Sequence, residues 1–328
     1  MHYGNFTRRA ALACATTLFA VGASAQGSDW PARQPIRFIV PGPAGGAMDV
    51  LLRVLQTPLQ EALKQSIVID YKPGANSIIG IDAVAKASPD GYTWVIAPSS
   101  AVAINPVIQA NLPFNVERDL APVAQLGAGG ILLMTNPNTG FKNLADMVAH
   151  ARANPGKVAY ASWGSGSTGH LAMEGIKAHY GLDMPHVPYK TTAQEITDLL
   201  ANNIGIAFTD VVSPIPHVRS GKLVALAATG SGRPPALPDV PTVSEQGFKF
   251  DADGWFGVFT AASVPPSIVA RMNQELGNLL AQDEVKARFA QMNLTLQAFK
   301  TPSQFAATVK TDTAFWQDLA KKAKLKID

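Results

Sequence analysis

Short apolar runs alternate with amphipathic stretches along most of the chain. The first run, Ile36 to Val40, predicts a buried strand, since it is apolar at all but one position. It ends at the Pro/Gly-rich loop 41–46, and from Met48 onward the apolar positions recur at helical spacing. A strand, a glycine loop and a helix start in this order favour an anion site, because unpaired amides and the helix dipole point at the same place.

The same rhythm continues to about residue 126. We predict a helix over 51–63, a strand at 67–69, a helix over 78–87 and a strand at 92–97 that ends at Pro98-Ser99-Ser100. Alternating strands and helices imply a parallel sheet covered by helices, with ligands at the carboxyl ends of its strands.

A second α/β half follows the long apolar segment from Leu120 to Met134. Its first helix is predicted over 144–154 and its first strand over 158–161. The loop 162–169 then opens a helix that carries His170. Further strands are predicted around 186–188, at 206–208 and at 223–228, with a helix from about 193 to 201.

The last part of the chain predicts a return to the first half. Trp255 to Thr260 has the pattern of a strand that crosses back, and two amphipathic helices follow as packing surfaces. We therefore predict an α/β fold of two lobes around a cleft. The expected bounds are 26–126 plus 252–328 for lobe 1 and 127–251 for lobe 2, with the second crossing open between about 229 and 255.

The amino-terminal residues have the pattern of a secretory signal. Arg8 and Arg9 precede an apolar run that ends at Ala23-Ser24-Ala25, so we predict cleavage after about Ala25 and export to the periplasm. The only cysteine, Cys14, lies in this run, so the mature chain has no thiol chemistry, although lipid attachment at Cys14 is an alternative. No later run is long enough to span a membrane.

The net charge of the mature chain argues against a nucleic-acid partner. Of the 27 Lys and Arg residues, Arg8 and Arg9 leave with the signal, so 25 oppose 24 acidic residues and the mature net charge is +1. Nucleic-acid binding through a basic surface is therefore disfavoured. Hydrophobic residues make up 47% and charged residues 16%, which is typical of a globular chain of this length with two domains.

Glycines 164, 166 and 169 match the spacing of a dinucleotide loop. That fingerprint also needs an acidic residue after the next strand, where this chain has Pro188-Tyr189-Lys190, so we predict no cofactor. The same loop can hold a carboxylate by its amides and hydroxyls instead. The donors in that interpretation are the amides of 165–169 and the hydroxyls of Ser165, Ser167 and Thr168.

Three polar side chains leave two roles open each. His170 could donate to a bound anion or cap and pack at its helix start. For Asp49 we favour a role as a cap of its own helix over acid catalysis, since no partner carboxylate or base is evident in the sequence. Asp210 could meet a ligand ammonium group or cap the next turn. The six histidines show no metal-ligand spacing, and we predict no metal site and no catalytic residue.

Eight ordered segments make the mature chain resemble the Bug family, the exported solute-binding receptors of tripartite tricarboxylate transporters. They include IVPGPAGGAMD at 39–49, KPGANSIIG at 72–80, GSGSTGHL at 164–171 and VPYK at 187–190. The other four lie at 87–94, 111–126, 221–229 and 237–248.

This resemblance implies a two-lobe periplasmic binding protein fold of type II kind and no enzymatic activity. It implies a small carboxylate held by backbone amides and water from the loops at 41–49 and 164–170, and delivery to a membrane permease with one large and one small subunit. We expect a monomer. The candidate ligand-binding residues are Gly42, Ala44, Gly45, Gly46, Asp49, Ser99, Trp163, Ser165, Gly166, Ser167, Thr168, His170 and Asp210.

Departures from the family pattern fall near the expected ligand. Family members usually have phenylalanine where Gly42 stands and a small residue where Trp163 stands. One hypothesis is that Trp163 fills the space freed at Gly42 and favours an aromatic acid over a small amino acid. The alternative is that Trp163 packs on its own lobe. The ligand thus stays open between a dicarboxylate, an aromatic acid and an amino acid.

Two other functions compete with the transport receptor. An exported enzyme acting on carboxylates would need a nucleophile, a base or a metal set, which the sequence does not offer. A sensor would use the same receptor fold to signal to a membrane partner. Turnover of a bound ligand would favour the enzyme, and docking of the liganded form on a sensor domain would favour the sensor.

Overall fold

The structure is a computed structural model that describes residues 30–230, 232–250 and 253–322. The predicted signal sequence, 1–25, lies outside these residues. The strands are β1 (Ile36–Val40), β2 (Ile67–Tyr71), β3 (Thr93–Pro98), β4 (Leu120–Gly129), β5 (Leu132–Thr135), β6 (Tyr160–Ser162), β7 (His186–Pro188), β8 (Ile206–Thr209), β9 (Val224–Ala228) and β10 (Gly254–Ala261).

Helices cover both faces of the strands. They are α1 (Ala47–Leu63), α2 (Ile78–Ala85), α3 (Asn105–Ile108), α4 (Val116–Asp119), α5 (Leu144–Ala153), α6 (Thr168–Tyr180), α7 (Thr192–Leu200), α8 (Ile215–Arg219), α9 (Pro266–Leu280), α10 (Asp283–Gln291) and α11 (Pro302–Lys322).

The strands form two five-stranded sheets with matching topology. The first has the order β2-β1-β3-β10-β4, and the second has the order β7-β6-β8-β5-β9. In the first sheet β1 runs parallel to β2 and β3, and β10 runs antiparallel to both neighbours. In the second, β6 runs parallel to β7 and β8, and β5 runs antiparallel to β8 and β9. The predicted α/β fold of two lobes is confirmed.

Several elements differ from the sequence pattern, and the C-terminal part has three helices, α9 to α11, where we predicted two. The apolar segment Leu120 to Met134 divides into β4 and β5 around Gly130, and α2 ends at Ala85 rather than 87. A buried π-helical turn, Ser100–Ile104, follows β3 where we predicted only a loop. Its run of small and β-branched residues has no helical periodicity, which is why the pattern misses it.

The connections between the sheets contact each other through their backbones. The chain passes from β4 to β5 at Gly130, and it leaves β9 at Thr229. The amide of Thr229 donates to the carbonyl of Ile131 at 2.9 Å. A Cβ added at Gly130 would lie only 1.5 Å from the Thr229 carbonyl oxygen, so only glycine allows this approach.

Helix α11 spans both lobes. Phe305 and Val309 pack in a core cluster with the first sheet, and Trp316 is buried in a cluster with the second. The segment with Ala103 and Ile108, which follows β3, also packs in the second cluster. The lobe bounds of the sequence analysis stay a prediction.

Candidate functional site

A cleft of about 530 Å³ lies between the two sheets. Its walls come from the loops after β1, β3, β6 and β8 and from the first residues of α1, α6 and α7. Parallel strands place these loops at one edge of each sheet, as expected for an α/β ligand site. Residues 129 and 254–256 of the crossing strands close the cleft between the lobes.

The loop of lobe 1 at 41–46 is clamped by a carboxylate behind it. Asp49 is 2% exposed, and its Oδ2 accepts from the Gly45 amide at 2.7 Å. Its Oδ1 accepts from the Tyr71 hydroxyl at 2.8 Å and pairs with Arg53 Nε at 2.9 Å. Burial alone would raise the pKa of Asp49, but Gly45, Tyr71 and Arg53 outweigh it and lower the pKa. Asp49 thus caps the loop and leaves the cleft lining to others.

This clamp decides which amides of the first lobe a ligand can use. The Gly45 amide is taken by Asp49, and the Gly46 amide donates to the Pro43 carbonyl at 3.2 Å. The amides of Ala47 and Met48, at the start of α1, have no hydrogen-bond partner within the described part of the chain. They lie on the cleft and carry the positive end of the helix dipole.

The loop of lobe 2 is organised in the same way. The Gly166 amide donates to Nδ1 of His170 at 3.0 Å, and the Ser167 hydroxyl accepts from the His170 amide at 3.2 Å. Thr168 and Gly169, the next two residues, have amides without a partner among the described residues. The free donors of α6 therefore lie at its first turn, and His170 acts behind the loop as an acceptor.

A third helix start was missing from the sequence candidates. Thr191 caps α7 by accepting from the Gln194 amide at 3.3 Å. The amides of Thr192 and Ala193 have no partner in the described chain, and both residues line the cleft. The signal was present in the sequence, because α7 follows a strand of the parallel part of the sheet and so begins at the ligand edge.

Asn76 connects the two lobes across the cleft. Ala75, Asn76 and Ser77 have φ values of 47°, 48° and 72°, so three side-chain-bearing residues adopt the left-handed region in succession. The Asn76 amide group donates to Asn105 Oδ1 at 2.7 Å and to the Gly166 carbonyl at 3.4 Å. Strained backbone of this kind persists where the surroundings hold it, and here it carries a contact between the lobes.

Both Trp163 and Gly42 line the cleft. A Cβ added at Gly42 would lie 2.8 Å from Cε of Met48, so Met48 occupies the space next to Gly42. A Cβ added at Gly169 would lie 2.8 Å from Cζ3 of Trp163, so the indole packs against the start of α6. Trp163 thus packs on its own lobe and also presents surface to the cleft.

Two carboxyl groups lie close together at the wall of lobe 2. Asp210 lines the cleft, and its Oδ1 accepts from the amides of Val212 and Ser213, each at 2.8 Å. Behind it Glu195 is fully buried, and neither carboxyl oxygen has a hydrogen-bond partner in the described chain. Burial, and to a lesser extent the charge of Asp210, raises the pKa of Glu195 well above its ordinary value.

Among the described residues that line the cleft, Lys190 and His217 have the basic side chains. Neither side chain has a hydrogen bond or ion pair within the described residues. Together with the helix starts they favour an anion in the cleft.

The structure brings most of the predicted site residues together. Five of them lie outside the cleft lining: Asp49, Ser165, Gly166, Ser167 and His170. All of these except Ser165 make hydrogen bonds that hold the two loops behind the lining. Those on the cleft lining are Gly42, Ala44, Gly45, Gly46, Ser99, Trp163, Thr168 and Asp210.

The arrangement suits non-covalent capture of an anion. Amide donors from both lobes converge on one space, and within the described residues no group of three histidines or acidic side chains could hold a metal ion. No described helix has the length and apolar character of a membrane span. Fold and site together define a two-lobe solute-binding protein.

Comparison with known proteins identifies the family. Residues 51–323 match the family described as tripartite tricarboxylate transporter family receptor. The protein BugT of Bordetella pertussis is 34% identical over 310 residues, covering 93% of this chain and 94% of BugT. The chain therefore belongs to the family of tripartite tricarboxylate transporter receptors, and the predicted Bug-family membership is confirmed.

Solved structures agree with this result. An R. palustris protein with adipate has a TM-score of 0.86 and 28% identity, covering 90% of this chain and 99% of that one. MatC from Rhodopseudomonas palustris with bound malate has a TM-score of 0.82 and 25% identity, covering 88% and 99%. Since its relatives are solute-binding proteins, the chain is a binding receptor and not an enzyme.

Proposed function

We propose that this protein is a periplasmic receptor that captures a small carboxylate between its lobes and delivers it to a tripartite tricarboxylate transporter permease. The supporting observation is the set of unpartnered amides at the starts of α1, α6 and α7. Of these residues Ala47, Met48, Thr168, Thr192 and Ala193 line the cleft, and Gly169 lies next to Thr168 behind the lining. In this proposal the signal is removed after about Ala25, the receptor is a monomer, and the permease has one large and one small subunit.

The carboxylate accepts hydrogen bonds from Ala47 and Met48 on one side and from Thr168 and Gly169 on the other. A ligand that receives donors from both lobes stabilises the closed arrangement, because the open one offers only half of them. Lobe 1 consists of 26–126 and 252–328, and lobe 2 of 127–251.

The ligand class follows from the rest of the wall. Lys190 and His217 favour a second acidic group, as in the dicarboxylates adipate and malate that related proteins hold. Trp163 adds an aromatic surface, which favours a ligand with an aromatic body. Calorimetry of Trp163→Ala and of the unaltered protein with adipate and benzoate separates these two contributions. If the variant loses affinity for benzoate but not for adipate, Trp163 stacks on the ligand. If the variant and the unaltered protein bind each ligand equally well, stacking is refuted.

Proline at the first helical position tests the amide donors directly. It removes one N–H, and its ring is tolerated there because that N–H has no partner in the helix. The preceding residues, Gly46 and Ser167, have ψ values of 170° and 159°, which suit a following proline. A hydrogen bond to a charged group contributes about 1.5–3 kcal/mol, so Ala47→Pro and Thr168→Pro should each weaken carboxylate binding roughly 10- to 100-fold.

Asp283→Pro is the matched control, since it places proline at the start of α10, away from the cleft. Calorimetry with adipate, malate and benzoate should give an unchanged affinity for this control. If both cleft variants bind as tightly as the unaltered protein, the amides do not hold the ligand. If none of the carboxylates binds the unaltered protein, the proposed function is wrong.

A further inference from the structure

Two stacked histidines lie directly behind the ligand loop of lobe 2. The rings of His170 on α6 and His186 on β7 are nearly parallel, with centroids 4.1 Å apart and an interplanar angle of 13°. Tyr160 on β6 stacks on His186 at 4.9 Å. Neither imidazole lines the cleft, yet both are bonded to the loop that does.

The hydrogen bonds assign the protons on both rings. Nδ1 of His170 accepts from the Gly166 amide at 3.0 Å, so the neutral ring carries its proton on Nε2. The Ser162 hydroxyl donates its one hydrogen to the Gly164 carbonyl at 3.0 Å. Nε2 of His186, 2.8 Å from the Ser162 oxygen, is therefore the donor in that contact. Both histidines hold the loop in their neutral forms.

The surroundings keep the pair neutral. Burial lowers the pKa of both rings, that of His186 to about 3, with smaller contributions from His170 and Lys177. At His170 the carboxylate of Glu174 opposes this lowering, while Lys177 adds to it. Glu174 and Lys177 lie on α6, His186 lies on β7, and Tyr160 lies on β6, so these are the titratable groups that face the pair. His170 is the ring whose Nδ1 lone pair holds the Gly166 amide, so its protonation is the one that acts on this bond.

We propose that His170 is a positioning residue that makes the ligand loop, and through it ligand capture, sensitive to acid. A proton on Nδ1 turns the acceptor of the Gly166 amide into a donor, so this hydrogen bond is lost. Gly166 also offers its carbonyl to Asn76 of the other lobe at 3.4 Å, so the loop and the contact between the lobes loosen together. The amides of Thr168 and Gly169 follow the loop and lose their alignment with the carboxylate. The effect on capture rests on the proposed function, whereas the effect on the loop does not.

The loop is tested without any ligand. Nitrogen-15 NMR of the purified protein follows the Gly166 amide and the imidazole nitrogens between pH 7.5 and 4.5. We expect the Nε2–H tautomer of His170 at pH 7.5 and a Gly166 amide that titrates together with His170, with a midpoint below 6.5. His170→Gln keeps an acceptor oxygen but cannot titrate, so its Gly166 amide should stay constant. His179→Gln, an exposed histidine on the same helix, is the control and should behave as the unaltered protein.

A Gly166 amide that does not move over this range, or that moves equally in His170→Gln, would overturn the proposal. The capture step is measured by calorimetry with adipate at pH 7.5 and 5.0. Protonation of adipate itself affects all proteins equally, so the quantity of interest is the difference from His170→Gln. We expect the unaltered protein to lose at least fivefold more affinity than this variant, and equal losses would refute the link to capture. Failure of adipate and malate to bind at pH 7.5 would count against the carboxylate function, while the amide titration still decides the role of His170.

Discussion

Replacing Asp49 should unfasten the ligand loop of lobe 1 and destabilise the protein. Its carboxylate is 2% exposed and joins the Gly45 amide, the Tyr71 hydroxyl and Arg53 at distances of 2.7, 2.8 and 2.9 Å. In Asp49→Ala the Gly45 amide loses its partner. The loop before α1 keeps the bond from the Gly46 amide to the Pro43 carbonyl and the bond from the Ser77 hydroxyl to the Pro41 carbonyl.

The magnitude follows from the exposure of each partner. A hydrogen bond to a charged group contributes about 1.5–3 kcal/mol, and the Gly45 bond takes the lower part of this range because Asp49 is buried but Gly45 is exposed. Arg53 is 57% exposed, so solvent screens its ion pair with Asp49 and the pair adds little to stability. Tyr71 is half-buried, and water replaces part of its bond. We expect Asp49→Ala to lose about 2–4 kcal/mol in the free energy of unfolding, and Asp49→Asn about half of that.

Urea unfolding at pH 7, followed by tryptophan fluorescence, measures this loss. The pKa of Asp49 is lowered in the folded protein, so its stabilisation is present above the unfolded pKa of about 3.9 and disappears as the pH falls through the folded value. The difference between the unaltered protein and Asp49→Ala should therefore shrink below about pH 4. A difference under about 0.5 kcal/mol at pH 7, or one that is unchanged at pH 2.5, would refute the reasoning.

Two further changes test the buried acid and the crossing of the lobes. Glu195→Leu should be more stable than the unaltered protein by about 1–3 kcal/mol at pH 8, with a smaller gain at pH 5. The raised pKa of Glu195 makes folding less favourable as the pH rises above the unfolded value, so parallel urea profiles of the two proteins between pH 5 and 8 would contradict this. Gly130→Ala should cost about 3 kcal/mol or more, because its Cβ would meet the Thr229 carbonyl oxygen at 1.5 Å, whereas Gly232→Ala has open space around it. Equal melting temperatures for these two variants would show that the crossing segments separate freely.

The alternation of short apolar runs with amphipathic stretches was sufficient to predict the two sheets and the return of the chain in β10, because strands buried on both faces form short continuous apolar runs. The candidate loops were also found, since glycine, serine and proline follow those strands directly. Which atoms of a loop face the ligand depends on the bonds inside it. Asp49 takes the Gly45 amide and His170 takes the Gly166 amide, and neither pairing has a sequence signature.

Other features depend on side chains that meet only in three dimensions. The sequence shows a glycine at 42, but it does not show that Met48 occupies the adjacent space. Glu195 stands four residues before Leu199 in the buried stripe of α7, so an acid in an apolar stripe was a signal that could have been followed. The contact of Asn76 with Gly166 has no such signal, because 90 residues separate the two along the chain.

The strand order also determines which of the two sheets can be completed first. Strand β10 lies between β3 and β4, yet it is made only after every strand of the second sheet. During synthesis the first sheet therefore has a gap between β3 and β4 until residue 254 has emerged, while the second sheet already has all of its strands. Contacts that join such distant parts of the chain form slowly. The lobe that begins the sequence is the last to be completed, and an interrupted chain leaves its two central strand edges open to mispairing.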